Sequence, residues 1–238
     1  MPATKLVQLM MTMLTVMQLS ILVPMLVVWL RRREFPPAVR VLSWYVYLSA
    51  FCTLFGWLAG TYQYGNSLFI IFFNVGKIAL FATVYYKMIE SARMRQLVLI
   101  TTLVALAVCV GLMGNGLVTH SSDLSVVVSR VMQSAVLAAF ALIYFEQVLS
   151  HGNKAPLGRD PIWLLSVGQL LYSAGTVTAF SLDYLSRTNY EQAPKWVFIS
   201  VVGIIFNVFL TLAFLRAKPL PAVATAAETP PAGQLAQA

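Results

Sequence analysis

Residues 6 to 33 read LVQLMMTMLTVMQLSILVPMLVVWLRRR: 25 residues from Leu6 to Leu30 without a charge, then three arginines. A hydrocarbon core of about 30 Å needs roughly 20 apolar residues in a helix, so this run is long enough to span. It exceeds a signal-peptide core and lacks both a basic leader and a small-residue cleavage site. It is therefore expected to stay in the protein as a first transmembrane helix, kinked at Pro24.

Six further runs share this character: Val41 to Thr61, Ser67 to Tyr86, Leu97 to Leu117, Leu124 to Leu149, Pro161 to Leu185 and Trp196 to Leu215. Transmembrane strands would show about ten-residue segments of strict alternation, and these runs are twice as long without it. The fold class expected is all-α, a polytopic bundle of seven transmembrane helices. With 59% hydrophobic and 10% charged residues and a mean hydropathy of +0.79, the chain is far more apolar than soluble domains. Its 238 residues divide into a seven-helix domain at 1–216 and an Ala/Pro/Thr-rich tail at 217–238, expected to be a disordered cytoplasmic segment.

Orientation follows from the short connections. Arg31, Arg32, Arg33, Arg40, Lys87, Arg93, Arg95, Lys154, Arg159, Arg216 and Lys218 fall on one side, eleven cations, against Lys5, Arg187 and Lys195 on the other. The positive-inside bias puts the N-terminus outside and the C-terminus in the cytoplasm, in an inner (plasma) membrane. The net charge of +8 is thus explained by topology. Scattered between apolar runs, it makes no continuous basic face for nucleic acid.

Helix punctuation agrees with these spans. Pro36 and Pro37 lie in the first basic connection, Asp160 and Pro161 make a cap and first-turn pair, and Pro194 is expected just before the last helix. Trp44, Trp163 and Trp196 lie near expected helix ends, as interfacial anchors do. Cys52 and Cys109 sit inside apolar runs as small hydrophobes. His120 and His151 lie in opposite connections, so no metal site is expected, nor any cofactor.

The two cations inside spans are Lys77 and Arg130. Lys77 is about ten residues from either end of the third helix, roughly 15 Å deep, too deep to snorkel. A central cation costs about 2.5 to 3.5 kcal/mol, so Lys77 is expected to face the bundle interior, to be neutral, or both. Asn74, Lys77, Phe81 and Val84 share one stripe, with Gly76 thinning the helix beside them. Arg130 lies about 10 Å below the outer surface, with Gln133 and Leu137 on its stripe and Asp183 as an ion-pair partner. Gly168, Tyr172, Gly175 and Ala179 form a small-residue packing face, and the last helix offers Ser200, Gly203, Asn207 and Thr211.

Lys77, Asn74, Arg130, Gln133, Tyr172 and Asn207 together suggest a polar intramembrane pocket. No acid lies near the middle of a span, which favours a small anionic or lipid-like ligand. The alternative for each residue is structural: a lysine bonded to Asn or Tyr, an arginine paired with Asp183, polar contacts of about 0.6 kcal/mol each between helices.

The segments 36–42, PPAVRVL, 66–69, NSLF, and 170–175, LLYSAG, followed by Phe180, Trp196 and the AFLR at 213–216, resemble an uncharacterised family of bacterial seven-helix integral membrane proteins. That resemblance implies the fold and the membrane but no activity. It departs in helix three, where the family usually carries an early His and Tyr and a central Glu, and this chain has Phe72, Asn74, Lys77 and Ile78.

Two other seven-helix classes fit less well. A retinal protein needs a lysine within the last helix, where only Lys195 stands, at the edge. The 81–86 and 209–214 segments, FATVYY and FLTLAF, echo the parallel repeats of a sugar-transporter fold, but 140–145, FALIYF, matches the first better and breaks the order.

With no HExxH, no GxSxG with a partner histidine and no paired intramembrane carboxylates, catalytic residues are not expected. A non-enzymatic sensor or accessory subunit is the first reading, acting through a protein partner because no output domain is present. A transporter of a small anion and a structural scaffold are the alternatives.

Overall fold

The structure is a computed structural model and describes residues 3–61, 67–119, 122–150, 160–183 and 189–217. Among the described residues, eight α-helices and one short 3-10 turn follow in order: α1 Ala3–Ser20, α2 Leu22–Arg31, the turn Arg32–Glu34, α3 Pro37–Thr61, α4 Ser67–Met88, α5 Ala92–Thr119, α6 Ser122–Ser150, α7 Pro161–Asp183 and α8 Asn189–Arg216. Taking α1 and α2 as one span, seven helical segments are long and apolar enough to cross a membrane, which makes this a multi-pass membrane architecture. The remainder of the expected tail beyond Ala217 lies outside the described residues.

The interruption near Pro24 falls at Ile21, between α1 and α2. Proline has no amide hydrogen to return to the carbonyl four residues earlier, here that of Ser20, so the helix breaks one turn before the ring. The Ser20 hydroxyl donates to the Met17 carbonyl at 2.6 Å.

Several expected boundaries are corrected. Pro37 belongs to α3 as its first residue, a position where a missing amide hydrogen costs nothing and the fixed φ suits a helix. Pro194 does not precede the last helix but lies inside it. α8 starts at Asn189, and the only bond lost is the one to Tyr190 in an early turn. The Asp160 cap is as expected: its Oδ1 accepts from the Ile162 amide at 2.8 Å, and Oδ2 accepts the Tyr144 hydroxyl.

The packing forms a closed ring. α1 and α2 lean on α8, α2 touches α3, α3 packs on α4, α4 on α6, α6 on α7, and α7 returns to α8. α5 stands outside, seated on α4 and α6. The α7–α8 seam is close because the expected small-residue face lies in it: a Cβ on Gly168 would sit 2.6 Å from that of Phe209, and one on Gly175 2.8 Å from Val202 Cγ1.

The outer surface is strongly apolar, with Trp29 76%, Leu30 71% and Ile100 61% exposed, as lipid-facing positions require. Buried polar side chains sit inside the ring instead, among them Ser43, Asn74, Lys77, Gln133, Ser166 and Gln169.

One end of the ring is rich in arginine, and these cations close helix C-termini. Arg31 donates to the carbonyls of Leu215 at 2.9 Å and Ala217 at 3.3 Å, and pairs with Glu34 at 3.2 Å. Arg95 donates to the Ile89 carbonyl at 2.6 Å. Both satisfy the orphan carbonyls at the negative end of a helix dipole. Phe35 stacks on Phe214 beneath this layer, 5.4 Å between centroids.

Candidate functional site

Lys77 is buried inside the ring and is only 1% exposed. Its stripe faces the ring interior as expected, with Asn74, Phe81 and Val84 also buried. The amine ends among four aromatic rings: Tyr172 at 4.2 Å, Phe206 at 4.9 Å, Tyr45 at 5.5 Å and Phe81 at 5.7 Å from the centroids. Among the described residues no acid pairs with it. α3, α4, α7 and α8 each contribute to this cage, and the rings also meet one another, Tyr45 against Phe81 at 5.3 Å and Tyr172 against Phe206 at 5.5 Å.

Beside the cage lies a cavity of about 340 Å³, lined by one stripe from every helix of the ring except α2. α1 brings Leu14, Met17 and Gln18, with Ile21 at its junction with α2; α3 brings Tyr45, Ser49, Cys52, Thr53, Gly56 and Trp57; α4 Phe69, Ile70, Phe73 and Asn74. α6 brings Arg130 and Gln133, α7 Tyr172, Thr176 and Phe180, and α8 Trp196, Ile199, Gly203, Phe206 and Asn207. The spacing of three and four residues along each helix is that of a single helical face. Small ligand sites have volumes of about 300 to 1,000 Å³, so the space suffices for a compact molecule.

Of the six residues expected to form a pocket, Asn74, Arg130, Gln133, Tyr172 and Asn207 line this one cavity. Lys77 does not. Three of its cage rings, Tyr45, Tyr172 and Phe206, form part of the cavity wall, so the cation stands behind it.

Two of the lining amides are occupied in joining helices. Asn74 Nδ2 donates to Ser129 Oγ at 2.9 Å, linking α4 to α6. Asn207 Nδ2 donates to Ser20 Oγ at 2.7 Å, linking α8 to the end of α1. Gln133 Nε2 and Thr176 Oγ1 are different: both residues are buried, 4% and 3% exposed, and neither atom has a hydrogen-bond partner among the described residues. A buried donor left unpaired costs about 1 to 3 kcal/mol, so a ligand that accepted from them would gain that amount.

Arg130 provides the cavity's positive charge. Its guanidinium lies 5.7 Å from the Phe180 centroid and 5.5 Å from that of Trp196, and Lys195 Nζ meets the same rings at 4.8 Å and 5.3 Å. Two cations thus share a pair of edge-to-face aromatics at the end of the ring away from the arginine layer. Asp183, the expected partner of Arg130, closes α7, but its side chain lies outside the described residues. Trp196, expected as an interfacial anchor, has its ring in this cluster and lines the cavity.

Thr176, Tyr45 and Phe206 are lining residues that sequence reading did not single out. Thr176 was legible as the position one turn beyond Tyr172 on a stripe already recognised. Tyr45 and Phe206 carried no signal, since an aromatic in an apolar run looks the same whether it faces lipid or a cation.

Comparison with protein-family models, curated proteins and solved structures finds no match to this chain.

Proposed function

We propose that this protein is a non-enzymatic membrane binding protein, a sensor or accessory subunit that holds a small anionic or lipid-like ligand in the cavity inside the helix ring and acts through a protein partner. The observation that carries the reading is the lining of that cavity, which holds Arg130 together with Gln133 Nε2 and Thr176 Oγ1, two buried groups without partners among the described residues. An anionic head accepts from Gln133, Thr176 and Arg130 together, and charge-assisted bonds are about twice as strong as neutral ones. Lys77 contributes to the field from behind the rings and to packing, so contact with ligand falls to Arg130.

We read the arginine-rich end as cytoplasmic and the membrane as the inner (plasma) membrane, on the eleven-to-three distribution of flanking cations and the positive-inside bias. The cavity then lies in the outer half of the bundle.

The test is a thermal-shift screen of purified protein against anionic metabolites, fatty acids and phospholipids, with wild type, Lys77→Met and Arg130→Gln in parallel. A ligand at a hundred times its Kd stabilises by about 2.7 kcal/mol, a readily measured shift. Wild type and Lys77→Met should respond, and Arg130→Gln should not. Silence from every anion on a well-folded protein would leave the structural scaffold as the better reading.

A further inference from the structure

The ring of helices has one weak seam, and it lies over the cavity. α1 packs along α8, held by Asn207 on Ser20 at 2.7 Å and by Met17 against Gly203, where a Cβ would meet the Met17 sulfur at 2.5 Å. On its other side, among the described residues, α1 scarcely meets α3, and the span packs on α3 through α2. Yet α1 and α3 both line the cavity, through Leu14 and Met17 on one side and Cys52, Gly56 and Trp57 on the other. A wall between two helices that scarcely touch is a lateral slot, and the surface around it is apolar, with Met11, Leu54 and Trp57 all more than half exposed.

The charge in the cavity lies on one side only. Towards α1 and α3 the lining is mainly apolar, Leu14, Met17, Ile21, Cys52 and Trp57, with Gln18, Ser49 and Thr53 as its uncharged polar members. On the far side, at α6 and α7, it offers Arg130 and the unpartnered Gln133 Nε2 and Thr176 Oγ1.

From this one-sided charge we infer that the ligand is an anionic single-chain amphiphile, a fatty-acid-like molecule taken sideways from the bilayer through the α1–α3 slot, its head at Arg130 and its chain in the slot. The inference rests on the binding reading above and specifies its ligand. A soluble anion has no use for an apolar flank, and a cationic or neutral amphiphile leaves Arg130, Gln133 and Thr176 without an acceptor. α1 can yield to admit a chain because the helix is interrupted at Ile21 and is fixed on only one side.

The native Cys52, partly exposed and in the cavity wall, reports occupancy. In full-length Cys109→Ala protein in nanodiscs, the rate of Cys52 modification by N-ethylmaleimide is measured with laurate, dodecanol, dodecyltrimethylammonium or acetate added. Laurate should slow the reaction at least fivefold. Dodecanol, dodecyltrimethylammonium and acetate should leave it within twofold. Laurate protection should vanish in Arg130→Gln and persist in Arg130→Lys, which keeps the charge if the first variant folds poorly.

Protection by acetate equal to that by laurate would overturn the amphiphile while leaving anion binding intact. Equal protection by all three chains would mean simple partitioning of chains into the slot, and would overturn the role of Arg130. No protection by laurate or acetate, in a protein whose melting point no anion shifts, would remove the binding reading itself.

Discussion

Replacing Lys77 by methionine should change stability little, despite the position of the lysine at the centre of the protein. A lysine at the bilayer midplane costs about 2.5 to 3.5 kcal/mol to insert. Against this stand four rings, with Tyr172 at 4.2 Å, Phe206 at 4.9 Å, and Tyr45 and Phe81 at 5.5 and 5.7 Å. A cation gains about 0.5 to 1 kcal/mol from a ring at an exposed site and about 2 when desolvated. Taking the higher figure for the nearest ring and the lower range for the three farther ones gives roughly 3.5 to 5 kcal/mol as a simple sum. The true figure is smaller, because contacts sharing one cation do not add fully.

The two effects nearly cancel, and methionine is unbranched, of similar volume and suited to aromatic neighbours. Lys77→Met should therefore stay within about 1.5 kcal/mol of wild type, whereas Lys77→Ala, which empties the cage, should lose about 2 to 5 kcal/mol. Reversible unfolding in mixed micelles, followed by tryptophan fluorescence, measures both. If Lys77→Met lost as much as Lys77→Ala, the amine would have to make a bond stronger than the rings provide, and the cage could not be what holds it.

Two glycines separate packing from propensity. Gly168→Ala drives a methyl into Phe209, whose Cβ lies 2.6 Å from the new atom, and should cost about 1 to 3 kcal/mol by overpacking. Gly111→Ala on α5 meets nothing within 4 Å and should be neutral or gain up to about 1 kcal/mol from helix propensity; thermal unfolding of both proteins decides, and equal effects would contradict the α7–α8 seam. For topology, single cysteines at Lys5 and Ser91, both exposed, go into a background without Cys52 and Cys109. In intact cells an impermeant maleimide should label Lys5→Cys and reach Ser91→Cys only after permeabilisation. The reverse pattern would invert the orientation.

The amino-acid sequence by itself determined the class and the spans. Apolar runs of twenty or more residues leave the backbone no option but to bond within each helix, so seven segments emerge whatever the packing. It also carried the inward stripe of α4 and the close α7–α8 face, because three- and four-residue spacing fixes which side chains share a helix face. Helix ends are less legible: in the sequence Pro37 and Pro194 look like breaks, whereas an early turn of a helix tolerates a missing amide hydrogen.

Only the tertiary structure decided where Lys77 points relative to the cavity. Composition puts a cation and several aromatics in one span-deep layer, but the rotation of each helix about its axis is set by neighbouring contacts, not by its length or hydrophobicity. A rotation of α3 or α8 by one residue would take Tyr45 or Phe206 out of the cage and turn it towards lipid. The packing of Gly76 on Leu48 and of Gly203 on Met17 fixes those rotations, closing rings around Lys77 and leaving Arg130, Gln133 and Thr176 to line the open space.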